Sequence, residues 1–348
     1  MAVPLSVLDL APVSTGSTRA AALNNSLKLA IAAEQAGYFR YWMAEHHGSP
    51  TFMSSATSLL LGRAAEHTST IRLGSGGVML PNHAPLMVAE YYGTLATIYG
   101  DRIDLGLGRA PGTDPVTAAE LKRGDADLRD FTQDVTKLQR YLAPAEPGGF
   151  KGVSGAEAGV LGISVKPYQL RRNIRAIPGE GTQVPLWVLG SSTGGASVAA
   201  ELGLPFSFAS HFAPGHMSAA LATYRENFNA MAETAEIPGP RVMAGINVMV
   251  CEDTHEAHFQ FTTNTKLRSD LFFGQSRPLA APRADRVDRT KAEGINPTAF
   301  VGNPAEVAEK IDTFVTEHAI DELIITCYAF DPEIRLASYE LLAKEYLG

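Results

Sequence analysis

The 348-residue sequence is poor in cysteine, has no long apolar run and carries no excess of positive charge. Its two cysteines, Cys251 and Cys327, stand far apart without CxxC spacing. That argues against a disulfide framework and a cysteine zinc site, and both read as buried strand residues. No stretch approaches the ~18 apolar residues of a membrane span. The segment Met1–Asp9 lacks the basic region and apolar core of a signal peptide, so a cytoplasmic protein is expected. Lysine and arginine (29) are outnumbered by aspartate and glutamate (37), giving a formal net charge of −8. Nucleic acid and anionic membranes are therefore poor partners. No P-loop lysine follows the glycines near residue 194, and no HExxH spacing offers a metal site.

What is present is an ordinary globular balance, 45% hydrophobic and 19% charged. Strand-like apolar runs at Leu5–Leu10, Phe39–Ala44, Ile71–Leu80, Ile103–Leu107, Leu186–Leu189, Phe206–Ala209, Val242–Cys251 and Glu322–Cys327 alternate with helical patterns. About eight βα units predict a parallel sheet closed into a (β/α)8 TIM barrel, with an open doubly wound sheet as the alternative. A single domain over 1–348 is expected, with insertions at about 144–166, a loop or hairpin, and 275–303, a lid beside the active site or a disordered segment.

Active sites of such barrels lie at the C-terminal strand ends, where the unusual residues of this chain collect. The segment Gly190-Ser191-Ser192-Thr193-Gly194 follows a strand and opens a helix, so its backbone amides and hydroxyls form a cradle for phosphate. A serine N-cap in a flexible turn is the plainer reading. Arg109, in Gly108-Arg109-Ala110-Pro111, suits a guanidinium clamp on the same phosphate or an ion pair with Asp114, while Pro111 spoils a Rossmann fingerprint. In Glu45-His46-His47 neighbouring side chains point to opposite faces, so no metal is expected there, and a histidine that handles protons or orients substrate is preferred to a structural one. Ser75-Gly76-Gly77 interrupts an apolar strand, which suits a β-bulge or a flat ring resting on the backbone.

In this order, Tyr41–His47, Ile71–His83, Arg102–Asp114, Leu189–Ser192 with Gly203–Pro205, Val301-Gly302 and Asp321-Glu322 resemble the luciferase-like flavin monooxygenases of the single-chain branch. The resemblance implies FMN at the barrel mouth, its phosphate held by Ser191, Ser192, Gly194 and Arg109. Ser75 and Gly76 would pass beneath the isoalloxazine ring, where the family often has a non-prolyl cis peptide. It makes His46 the active-site histidine, with His47 and His211 expected in the substrate pocket. Reduced FMN and O2 would give a C4a-hydroperoxide that oxygenates a small organic substrate. With no nicotinamide fingerprint, a separate flavin reductase would supply the reduced flavin, and a homodimer is expected. An F420-dependent hydride-transfer enzyme and a non-catalytic flavin-binding accessory protein are the alternatives. Ser75-Gly76-Gly77, where luciferases carry bulkier residues, and Gly108, where a reactive cysteine can occur, make light emission a poor inference.

Overall fold

The computed structural model describes residues 2–121, 131–144, 153–154, 173–286 and 296–348. Strands β1 (Leu5–Asp9), β2 (Arg40–Met43), β3 (Arg72–Met79), β4 (Ile103–Gly108), β7 (Leu186–Gly190), β8 (Phe206–Phe208), β9 (Val242–Val250) and β11 (Glu322–Thr326) form a parallel sheet. The sheet closes because β8 pairs with β9, β9 with β11, and β11 with β1. These are the eight strands read from the sequence. Their runs are apolar on both sides because one face packs into the barrel and the other under helices.

The helices are α1 (Arg19–Gln35), α2 (Thr57–Glu66), α3 (Pro85–Tyr99), α4 (Pro115–Glu120), α5 (Phe131–Leu142), α6 (Thr193–Leu202), α7 (Met217–Glu226), α8 (Thr254–Phe272), α9 (Pro304–His318) and α10 (Pro332–Tyr346). Side-chain caps open several of them: Thr18 bonds the Ala21 amide, Asp114 the Val116 and Thr117 amides, Asn303 the Glu306 amide, and Asp331 the Glu333 amide. No helix among the described residues is long and apolar enough to cross a membrane.

In the 144–166 region, β5 (Val153–Ser154) pairs antiparallel with β6 (Asn173–Ile174), and 145–152 and 155–166 lie outside the described residues. The expectation for 275–303 needs correcting. Ala299–Gly302 is a strand, β10, that adds in parallel to the C-terminal half of β9 at Asn247–Val250. Leu279 is buried and bridges to Ser14 beside β1, while 287–295 lie outside the described residues.

The barrel interior is layered. At the N-terminal end, Arg40 pairs with Asp104 (2.5 Å) and Glu322 (2.8 Å), Arg72 with Asp104 (2.6 Å), and Ser6 donates to Glu322 (2.7 Å). Above this floor Trp42 and Trp187 meet edge to face, ring centroids 5.6 Å apart, and Trp42 Nε1 donates to Asp104. Leu8, Met243 and Ile324 complete that layer. Breaking a buried ionic network costs more than forming it gains, because the partner charge is stranded. Asp104→Ala is therefore expected to lower unfolding free energy by about 3–5 kcal/mol, read from urea denaturation. A loss below about 1 kcal/mol would show the floor to be dispensable.

Candidate active site

Above the tryptophans the inward positions turn small. A Cβ on Gly76 would come within 2.6 Å of Leu8 Cδ1 and 3.2 Å of the Trp42 ring, and one on Gly106 within 2.3 Å of the Ser75 carbonyl. Only glycine fits there. The β3–β4 register slips between Ser75 and Val78, and the Gly76–Gly77 peptide is cis. The bulge read from the sequence is thus present, and it lies on the floor of the mouth. Ser75 itself is fully buried, its hydroxyl donating to the Gly106 carbonyl at 2.8 Å. Its side chain is committed to joining β3 and β4, so the expected cofactor contact is open to its backbone alone.

Beyond β2, Ser54 Oγ donates to the Ala44 carbonyl and fixes the turn that carries His46. The His46 ring lies 5.2 Å from Phe52, and its Nδ1 is buried without a hydrogen-bond partner. His211, in the loop after β8, occupies the space a Gly245 side chain would need: a Cβ there would lie 2.1 Å from its Nδ1. That atom too is buried without a partner. Burial pushes the His211 pKa down to about 4, with Arg268 and His46 adding to the effect. Burial also lowers His46. Two neutral imidazoles therefore face the mouth together.

His47 goes elsewhere. Its Nε2 is 2.6 Å from Glu45 Oε1, and His83 Nε2 is 3.0 Å from the same carboxylate. Burial would raise the Glu45 pKa, but hydrogen bonds from His47 and His83 outweigh it and bring it down to about 2. The structure puts His47, expected in the substrate pocket, in a His–Glu–His clamp joining the ends of β2 and β3. Ligand atoms of Glu45, His47 and His83 lie within 4.8 Å of one another, the spacing of a possible metal group, which the sequence reading missed. With His46 directed inward, the second imidazole comes from another strand end.

The structure brings Arg109, Ser192 and Gly194 of the predicted cradle together. Ser192 caps α6 without a side-chain bond to its amides, so the hydroxyl is not spent on the helix. The exposed Arg109 lies at the same point: a Gly194 Cβ would be 3.0 Å from its Nη2 and 3.7 Å from Ser192 Oγ. Asp114, the alternative partner for Arg109, caps α4. Ser191 lies half-buried in the turn before Ser192. A guanidinium, a helix N-terminus and a hydroxyl thus face one small volume, the requirements of an oxyanion.

With this geometry described, comparison with known proteins adds the lineage. The sequence pattern of the luciferase-like monooxygenases matches residues 3–322. The chain belongs to that family. It is 39% identical over 357 residues to a luciferase-like monooxygenase of Escherichia coli (strain K12), covering 99% of this chain and 98% of that protein. It is 29% identical over 359 residues to the N-acetyl-S-alkylcysteine monooxygenase of Bacillus subtilis (strain 168), covering 99% of each. Among solved structures, apo-MsnO8 superposes with a TM-score of 0.78 at 33% identity, covering 99% of this chain and 98% of that one. Like its relatives in name, this luciferase-like monooxygenase family member is an oxidoreductase.

Sequence reading missed the polar wall that α8 and β9 present at the mouth. Asn247 Nδ2 (2.9 Å) and Arg268 Nη1 (2.8 Å) both donate to the His211 carbonyl, and Thr326 Oγ1 donates to Asn247 Oδ1 (2.9 Å). Isolated polar residues in an apolar strand and in a long helix were the only signal.

The depressed His211 pKa has a consequence for stability. An imidazole titrating lower in the folded chain than its ordinary ~6.5 stabilises the fold above that value and loses the contribution as pH falls toward 4. His211 is expected to cost about 2 kcal/mol between pH 7 and pH 5. Urea midpoints across that range should fall less in His211→Asn than in the wild type; parallel profiles would contradict the assignment.

Proposed function

We propose that the chain is a flavin-dependent monooxygenase that uses reduced FMN and O2 to oxygenate a small organic substrate. The observation carrying the proposal is the meeting of Arg109 with Gly194 and the uncapped start of α6. The fit extends to the floor, where glycines at 76 and 106 leave flat backbone for a planar ring, and to the orphaned Nδ1 atoms of His46 and His211. Bound FMN would supply the activation of oxygen, which no side chain of this protein can perform.

The protein's own residues do the rest. Arg109, Ser191, Ser192 and the amide of Gly194 would hold the FMN phosphate and so anchor the cofactor at the mouth. Neutral His46 offers Nδ1 as the atom that accepts or returns a proton, and His211 faces it across the mouth. Leu10, Phe52, Leu189 and Phe330 form an apolar surround that keeps water from the reacting atoms.

A solved Baeyer–Villiger monooxygenase of the same fold is described in complex with FMN. An F420-dependent reductase shares the fold as well, so hydride transfer with F420 remains the rival chemistry. A separate reductase is part of the proposal, as is a homodimer through α2 and α3, whose outer faces expose Leu59, Met87, Tyr91 and Ile98.

Flavin fluorescence titration tests the cradle. Arg109→Ala is expected to weaken FMN binding about 10–100-fold and Ser192→Ala several-fold, the loss of a charge-assisted and a neutral hydrogen bond. Unchanged affinity in both, or tighter binding of F420 than of FMN, would overturn the FMN reading. His46→Ala should bind FMN normally yet lose about 10²–10⁴-fold in substrate turnover. Turnover at the wild-type rate would favour an accessory role.

A further inference from the structure

Arg268 reaches the mouth from α8, and its situation is unusual for a cation. Its Nη1 donates to the His211 carbonyl, but its Nε is buried with no hydrogen-bond partner. Among the described residues no carboxylate pairs with it; the nearest acid along its helix, Asp270, is engaged by Lys266. Burial lowers its pKa, and Tyr328 is the one group that offsets this. A guanidinium that is half-buried, with its Nε buried and no counterion, is costly unless something supplies one.

Further unsatisfied atoms gather around it. Asn264, one turn earlier on the same face of α8, is 1% exposed and leaves Oδ1 without a partner. Asn296, also 1% exposed, leaves Nδ2 unbonded while its Oδ1 accepts from Thr298, which also donates to the Ser210 carbonyl beside His211. Next to these polar groups the lining is apolar: Phe52, Leu267, Leu279 and Tyr328 belong to one buried cluster.

We propose that Arg268 binds the carboxylate of an amphipathic organic acid, the substrate class of this enzyme, with the acid's apolar part resting on Phe52, Leu267, Leu279 and Tyr328. The proposal rests on the mouth being the oxygenation site. Arg268 is then a specificity determinant, remote from the phosphate cradle at Arg109 and distinct from the proton-handling His46. The competing role is purely structural, a guanidinium tying α8 to the loop after β8.

Octanoate and octanamide share a chain and differ in charge, so their binding to FMN-loaded protein separates the two roles by titration calorimetry. Wild type is expected to bind octanoate about tenfold or more tightly than octanamide. In Arg268→Gln that preference should vanish with FMN affinity unchanged. Equal affinities in the wild type, no octanoate binding, or a preference that survives Arg268→Gln would overturn the proposal. So would loss of FMN binding in Arg268→Gln, which would give the guanidinium to the cofactor. If the variant does not fold, phenylglyoxal modification of wild-type Arg268 decides: octanoate should slow it several-fold and octanamide should not, and equal protection overturns the proposal. FMN titration of the wild type precedes the acids, so failure there marks the functional reading, and the inference with it, rather than Arg268.

Discussion

Two tryptophans set the shape of everything above them. Trp42 and Trp187 fill the barrel at mid-height, and beside them Gly74, Gly76 and Gly106 leave no room for a side chain. An added Cβ on Gly74 would come 2.7 Å from Trp42 Nε1 and 2.8 Å from the Asp104 carbonyl. The result is a rigid plug with flat backbone on its upper surface. Packing at crystal-like density transmits any displacement of the plug to that surface. The site's floor is therefore a consequence of core packing and not of a loop.

Polar groups lie on both sides of the plug, but they are treated differently. Below it, Arg40, Arg72, Asp104 and Glu322 satisfy one another, the arrangement of a structural network. Above it, His46, His211, Asn264, Arg268 and Asn296 each leave a buried atom without a partner. Native proteins leave few such atoms, and this group of them lies at the C-terminal end of the barrel, where barrels of this fold build their sites. Arg109 meets Gly194 and the start of α6 at the same end of the barrel, and the His47–Glu45–His83 clamp braces the strand ends that carry His46 and Gly76.

The barrel was legible because each closing strand is an apolar run between turn signals, and β-then-α order admits few topologies. The strand–turn–helix at Gly190–Thr193 was legible because a Gly/Ser turn between strand and helix has a backbone meaning independent of tertiary context. β10 was not, since four residues at the end of an Arg-, Ala- and Pro-rich stretch carry no periodicity. α8 runs to Phe272 with no apolar stripe to announce its length, because its inner face is polar: Gln260, Thr263 and Asn264 are buried there. Ser75 bonds Gly106, 31 residues away, and the Glu45 that holds His47 is shared with His83, 38 residues beyond Glu45; no local pattern encodes such long-range pairings.

The proposed oxygen chemistry of a reduced flavin draws on membership of the luciferase-like monooxygenases and on the geometry of the mouth. Rapid mixing of the anaerobic complex of protein and reduced FMN with oxygenated buffer tests that claim directly. The account predicts an absorbing species, distinct from both reduced and oxidised FMN, that outlives the reoxidation of free reduced FMN and decays faster when substrate is present. Reoxidation with the time course of free flavin, and no such species, would contradict it.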